Sequence, residues 1–232
     1  QLLVVNHGGR ESVEYFELSE AGDKPVLTWR GCVVMPEEIH LNDVVNMNSG
    51  GFWATHMYPR NSGVAMIRGL LGAEIGHVVQ WQEGMGLTEV AGSKGAFPNG
   101  IEKSLDEKFL FVNHYISGQT IKLEIETGKT VARRSHSSPD NIAWDKDGEH
   151  LIVASHTAGI AEMLSCQEIG KNENCPIQFD LVRVNAGDMQ GEVIFSHKGS
   201  PLGAATVGLA VGDYIYLGTF SGNRLGRISY PL

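Results

Sequence analysis

Apolar residues along this chain fall in short runs separated by turn-forming clusters. Ser19-Glu20-Ala21-Gly22-Asp23, Asn48-Ser49-Gly50-Gly51, Ser104-Leu105-Asp106-Glu107, Asp145-Lys146-Asp147-Gly148 and Val211-Gly212-Asp213 punctuate runs rich in Val, Ile, Leu, Phe and Tyr. Runs of that length and composition predict strands joined by tight turns. Helical periodicity is scarce. The best helical candidate is short and Gly-bounded, at residues 160–166, with a weaker one at residues 63–76. The chain therefore reads as all-β.

The runs repeat. Leu41-Asn42-Asp43-Val44-Val45, Pro98-Asn99-Gly100-Ile101, Asp140-Asn141-Ile142-Ala143 and Ala205-Thr206-Val207 each lead through a turn to a strongly apolar strand. Those strands are Gly51-Phe52-Trp53-Ala54-Thr55, Phe109-Leu110-Phe111-Val112-Asn113, Leu151-Ile152-Val153-Ala154-Ser155 and Tyr214-Ile215-Tyr216-Leu217-Gly218. The first three end in His56, His114 and His156, which lie 14, 15 and 15 residues after Asn42, Asn99 and Asn141. Two short strands and a tight turn fill that spacing. A hairpin returns to the side it left, so each entry Asn and exit His share one end of the sheet. Two further strands follow each hairpin, as in Thr120-Ile121-Lys122-Leu123-Glu124-Ile125 and Thr130-Val131-Ala132-Arg133.

Four antiparallel strands per unit, repeated with loop insertions, predict a β-propeller blade. Three blades look complete, a partial one stands at the front and one of three strands at the end. Leu3-Val4-Val5-Asn6-His7 matches the second strand of the repeating hairpin, whose first strand would precede residue 1. The expectation is a single propeller domain over residues 1–232, about four and a half blades, with an N-terminal portion of roughly 100 residues absent or supplied by a second chain.

Composition narrows the partners. At 42% hydrophobic and 19% charged the chain is an ordinary globular one, and its 29 glycines suit many tight turns. A net charge of −9 argues against nucleic acid and leaves cations open. No apolar run is long enough to span a membrane. Cys166 and Cys175 bracket a polar loop and read either as a local disulfide, which would suggest a secreted or periplasmic protein, or as two free thiols. Cys32 has no partner in this reading.

The innermost strand of a propeller blade starts beside the central channel, so Asn42, Asn99, Asp140 and Asn141 should converge there. Amide and carboxylate oxygens at one point lack donors for one another and suit a hard cation, Ca2+ before Zn2+. Individually, each could simply cap a turn. Asp43 could hold a second, structural ion or bond to neighbouring backbone. His7, His56, His114 and His156 should ring the same end, where a neutral imidazole is a usable general base. At least two of them should be rim or support groups. His40, His77, His136, His150 and His197 fit no register and read as surface residues. Phe52, Trp53, Phe97 and Phe220 are candidates for an apolar pocket, although aromatics in such strands usually pack between blades. No nucleophile elbow, P-loop or dinucleotide motif appears.

Val4-Val5-Asn6-His7, Leu41-Asn42-Asp43-Val44-Val45, Asn99-Gly100-Ile101, Asp140-Asn141-Ile142 and Ser155-His156 with Gly159, in this order, resemble the paraoxonase/arylesterase family, within the gluconolactonase-like six-bladed propellers. The resemblance covers nearly the whole chain but only the C-terminal two thirds or so of a family member. It implies a calcium-dependent hydrolase of lactones and aryl esters. Asn42, Asn99, Asp140 and Asn141 would hold the catalytic calcium and Asp43 a structural one. His7 would be the outer member of a water-activating histidine pair, and His156 a pocket histidine. An acidic ligand and the inner histidine of the pair would precede residue 1. Rival expectations are a sugar-lactone hydrolase using another divalent ion, and a non-catalytic propeller that binds a partner.

Overall fold

The computed structural model describes residues 1–22, 24–159, 161–162, 166 and 173–230. It is built from five antiparallel sheets in chain order. The first holds β1 (Leu2–Asn6), β2 (Ser12–Ala21) and β3 (Lys24–Val34). The second holds β4 (Leu41–Asn46), β5 (Phe52–His56), β6 (His77–Gln82) and β7 (Gly86–Glu89), and the third β8 (Pro98–Lys103), β9 (Phe109–His114), β10 (Gln119–Glu124) and β11 (Lys129–Ser135). The fourth holds β12 (Ser138–Trp144), β13 (His150–His156), β14 (Phe179–Asn185) and β15 (Gly191–His197), and the last β16 (Ala205–Val211), β17 (Tyr214–Thr219) and β18 (Gly226–Ser229). Every sheet is a meander, each strand pairing with its neighbour in sequence.

The propeller therefore has five blades, and the six-bladed expectation is corrected. The front segment counted as a partial blade forms a sheet of three strands in its own right, and the last sheet also has three. The weak helical pattern at residues 63–76 becomes α1 (Gly63–Leu70), between β5 and β6, with Ser62 Oγ accepting from the Ala65 amide at 3.1 Å. The other helical candidate, residues 160–166, lies largely outside the described residues. Among the described residues no helix is long and apolar enough to cross a membrane.

Alternation within strands explains how the sheets stack. Strand neighbours point to opposite faces. Leu110 and Val112 of β9 join a core with Val45, Trp53 and Val78 of the second sheet, while Phe111 between them joins Ile142, Leu151, Val153 and Val182 of the fourth. Likewise Ile152 and Ala154 of β13 face Ile215 and Leu217 of the last sheet. A further core joins Val13 of the first sheet to Leu41, Phe52, Ala54 and Val79 of the second. The second strand of each four-stranded blade is buried on both faces (β5, β13) or nearly so (β9). The outer strand β11 alternates between exposed and partly buried positions.

Candidate active site

The first strand of each blade after the front one carries an irregularity at its start. Leu41 lies opposite His56, Pro98 opposite His114 and Ser138 opposite His156. The register then shifts between Leu41 and Val44, between Pro98 and Ile101, and between Pro139 and Ile142. The residues inside those bulges are Asn42-Asp43, Asn99-Gly100 and Asp140-Asn141. A bulge breaks strict alternation and re-aims a side chain, so two successive polar residues need not face apart. Thr206 occupies the corresponding break in β16.

Each bulge is held by the preceding blade or its own neighbour strand. Thr55 Oγ1 donates to the Asn99 carbonyl at 2.5 Å, and Asn113 Nδ2 donates to the Asp140 carbonyl at 2.6 Å. Gly100 permits the approach of β8 to β12. A Cβ there would stand 2.6 Å from the Asn141 Cα and from the Asp140 carbonyl oxygen. Asp43 accepts from the Val44 amide at 2.8 Å and, across to β8, from the Ile101 amide at 2.9 Å. That tie is the backbone role considered for Asp43.

The structure brings Asp43, Asn99, Asp140 and Asn141 together. Asn99 donates to the Asp140 carboxylate, Asn141 Nδ2 reaches Asp140 Oδ1 at 3.3 Å and the Thr206 carbonyl at 3.0 Å, and Asp43 and Asp140 repel each other. Burial pushes Asp140 up to about 7 and Asp43 up to about 6, with the Asp43 charge adding to the rise at Asp140. Glu102 is pushed up to about 7, again by burial first. Among the described residues neither Asp43 nor Asp140 has a Lys or Arg ion-pair partner. Asn99 Oδ1 is buried without a hydrogen-bond partner. Asn42 directs its Nδ2 to the Met57 sulfur at 3.2 Å and makes no hydrogen bond to this group among the described residues.

The histidines divide by surroundings. His156 is fully buried, with Nδ1 3.0 Å from the Tyr115 hydroxyl and Nε2 3.1 Å from the Ala205 carbonyl. The carbonyl can only accept, so Nε2 carries the proton and Nδ1 accepts from Tyr115. Burial pushes its pKa down. Both nitrogens are engaged, and Nδ1 also lies 3.7 Å from Asp140 Oδ2, so the His156 ring is held against the bulge group. His56 accepts from the His40 amide at 3.0 Å, sits 4.9 Å from the His77 ring and is pushed down to about 4 by burial. His114 is likewise buried and pushed down to about 4, its ring lying over Gly95 at the wall of a cleft of about 610 Å³ shared with Lys94, Gln119 and Arg133.

His7 is different. Its side chain is 50% exposed and its Nδ1 lies 3.0 Å from Oε2 of Glu11, which is only 2% exposed. Glu11 also accepts from the Leu41 amide at 2.6 Å, one residue from Asn42. Arg60 reaches the same carboxylate at 3.3 Å and His40 Nδ1 approaches it at 3.8 Å. A row of rings runs inward from His7 to His40 at 5.0 Å, on to Tyr58 at 4.9 Å and then to Phe97 at 5.2 Å. Glu11, Tyr58 and Arg60 are absent from the sequence reading, which takes His40 for a surface residue. Glu11 shares a polar turn with His7, while His40, Tyr58 and Arg60 come from other segments, so no local signal marks the whole cluster.

Of the expected pocket aromatics, Phe97 is buried near this row and Phe220, half exposed, stands 6.3 Å from the His156 ring. Phe52 is corrected: it is fully buried, stacked on Trp81 at 5.7 Å in the core between the first two sheets. Trp53 is core as well. His136 is largely buried against Thr120, and His40 lies in the cluster just described, so neither is a free surface residue. Cys166 and Cys175 form a disulfide, and Cys32 is free.

Five antiparallel sheets packed in chain order, with acidic and amide side chains gathered from the bulges of consecutive blades, define a propeller with a shared polar site. The chain belongs to the arylesterase family, whose model matches residues 1–225. That family groups it with ester and lactone hydrolases. No curated protein matches the chain in sequence. Among solved structures, one in a nidogen/laminin complex is similar with a TM-score of 0.59 and 10% identity, over 99% of this chain and 73% of that one. A Lactobacillus plantarum protein is similar with a TM-score of 0.52 and 13% identity, over 98% of this chain and 63% of that one. A proposed 6-phosphogluconolactonase from Bacteroides uniformis has a TM-score of 0.50 and 11% identity, over 98% of this chain and 76% of that one. These likenesses concern the fold, and the chain spans about two thirds to three quarters of their length.

Proposed function

We propose that this chain carries the site of a calcium-dependent hydrolase of small lactones or aryl esters. The observation that carries the reading is the buried, uncompensated group at the bulges. Asn99 Oδ1 lacks a donor, and among the described residues the Asp43 and Asp140 carboxylates have no Lys or Arg partner, only the neutral His156 ring 3.7 Å from Asp140. Such a set is costly alone and fits a hard divalent cation, which takes six to eight oxygen ligands. Asn42, Asn99, Asp140 and Asn141 are the ligands and Asp43 braces β4 against β8. A bound Ca2+ would supply Lewis-acid polarisation of the substrate carbonyl.

The protein's own groups do the rest. Glu11 accepts the Nδ1 proton of His7, which leaves the Nε2 lone pair to take a proton from water. The Leu41 amide fixes Glu11, and so ties that base to the strand bearing Asn42. Tyr115 and Ala205 hold the His156 ring, and Phe97, Tyr58 and Phe220 offer apolar surface to a leaving group. The disulfide supports an oxidising compartment, secreted or periplasmic. The test is hydrolysis of a lactone and aryl-ester panel before and after chelation. Activity should vanish in EGTA and return with Ca2+; activity unchanged in chelator would reject the metal's role.

A further inference from the structure

His7 and Glu11 stand four residues apart in the turn between β1 and β2, and His40 comes from the segment just before β4. Their ligand atoms nevertheless lie within 4.8 Å of one another. Two imidazoles and one carboxylate are the ligand set of many open zinc sites, and of related first-row divalent ions. At zinc–nitrogen distances of about 2.0–2.1 Å, tetrahedral ligand atoms stand roughly 3.3 Å apart. The contacts to the Glu11 carboxylate, 3.0 Å from His7 Nδ1 to Oε2 and 3.8 Å from His40 Nδ1 to Oε1, straddle that value. The His40 Nδ1 atom is buried and has no hydrogen-bond partner. That nitrogen is better explained as a ligand than as a packing element, because an orphaned polar atom is costly. The half-exposed His7 gives a path for entry and a side open to solvent.

Arg60 is the competing cation. Its guanidinium lies 3.3 Å from Glu11 Oε2 and its side chain is 38% exposed, so it can leave. A buried carboxylate needs a positive partner, and in this arrangement Arg60 provides it. A divalent ion held by two imidazoles would take over that role.

We propose that His7, Glu11 and His40 form a site for a first-row divalent ion of the Zn2+ class, separate from the oxygen-lined site at the bulges, and that filling it silences His7 as a base. The second half rests on the hydrolase reading above. A neutral imidazole has one lone pair. Ligation through Nδ1 places the remaining proton on Nε2, so His7 cannot at once bind the ion and accept a proton from water. Ca2+ at the bulges, with its oxygen ligands, would not compete for two imidazoles.

The test uses the full chain, stripped of metals and refilled with Ca2+, titrated with Zn2+ by calorimetry and with Co2+ by visible absorption. The expected result is one equivalent of Zn2+ and the intense visible bands of four-coordinate Co2+. His40→Ala should weaken binding about 100-fold or more, since even outer-shell changes cost about 10–100-fold, while leaving the Ca2+-saturated melting temperature in place. Arg60→Ala should tighten Zn2+ binding severalfold by removing the competitor. Absence of stoichiometric binding, binding indifferent to His40→Ala, or weaker binding in Arg60→Ala would overturn the site. In the same samples Zn2+ should inhibit hydrolysis by the parent chain and not by His40→Ala. Binding without any hydrolysis would reject the hydrolase reading alone, and hydrolysis without binding would reject the metal site alone.

Discussion

Asn99 shows how one side chain concentrates the argument. Its backbone carbonyl is bound by Thr55, its amide nitrogen serves Asp140, and its Oδ1 is left buried and bare. Asn99→Ala removes a ligand without touching the bulge's backbone bonds. Hydrolysis should fall at least 100-fold and Ca2+ affinity with it, measured by calorimetry and by kcat/KM; retention of both would place the cation elsewhere. His114 tests burial. Its folded pKa, about 4, lies below the unfolded value near 6.5. The unfolded chain therefore binds the extra proton first. Its contribution is complete above pH 6.5 and is lost as pH falls toward 4, by up to about 1.4 kcal/mol per pH unit. Chemical denaturation across that window should show a shallower acid slope for His114→Gln than for the parent, and equal slopes would contradict a buried neutral ring. Residue identity at the site was legible in the chain, because oxygen-bearing residues recur at strand entries. The environment of His7 was not, since His40 and Arg60 meet the His7–Glu11 turn only through tertiary packing.

The bulge is the element that makes these residues a site. Hairpin spacing foretold that Asn and His share an end, and the pairs Leu41–His56 and Pro98–His114 have that register. Strict alternation, however, would send Asn42 and Asp43 to opposite faces. An extra residue leaves no compositional mark, so the bulges were invisible to pattern reading. The same limit affected the blade count, because the front strands lack the entry motif that identifies the other blades. Gly100 carries the bulge in β8 to within touching distance of β12. Gly100→Ala would press a methyl group against backbone that cannot swing away. It should destabilise the chain by about 1–3 kcal/mol and lower Ca2+ affinity together with stability. A full-stability Gly100→Ala protein, seen by thermal melting, would show that β8 and β12 do not approach so closely.

At the scale of the molecule, the shared polar group draws on β4, β8 and β12, one strand from each of three successive blades. Apolar cores join those blades side by side, but the Asp43 and Asp140 carboxylates at their bulges repel one another. A cation that binds only the assembled blades stabilises the fold by mass action, by about 2.7 kcal/mol at a hundredfold excess over Kd. The melting temperature should therefore climb with Ca2+ concentration and keep climbing logarithmically. Mg2+, smaller and held to octahedral geometry, should shift it less at equal concentration. Asn99→Ala should melt near the chelated parent and respond weakly to either ion. Scanning calorimetry over a Ca2+ series decides the point: a midpoint indifferent to Ca2+ in the parent chain would mean that the three blades are held by their cores alone, and that the uncompensated carboxylates are satisfied in some other way.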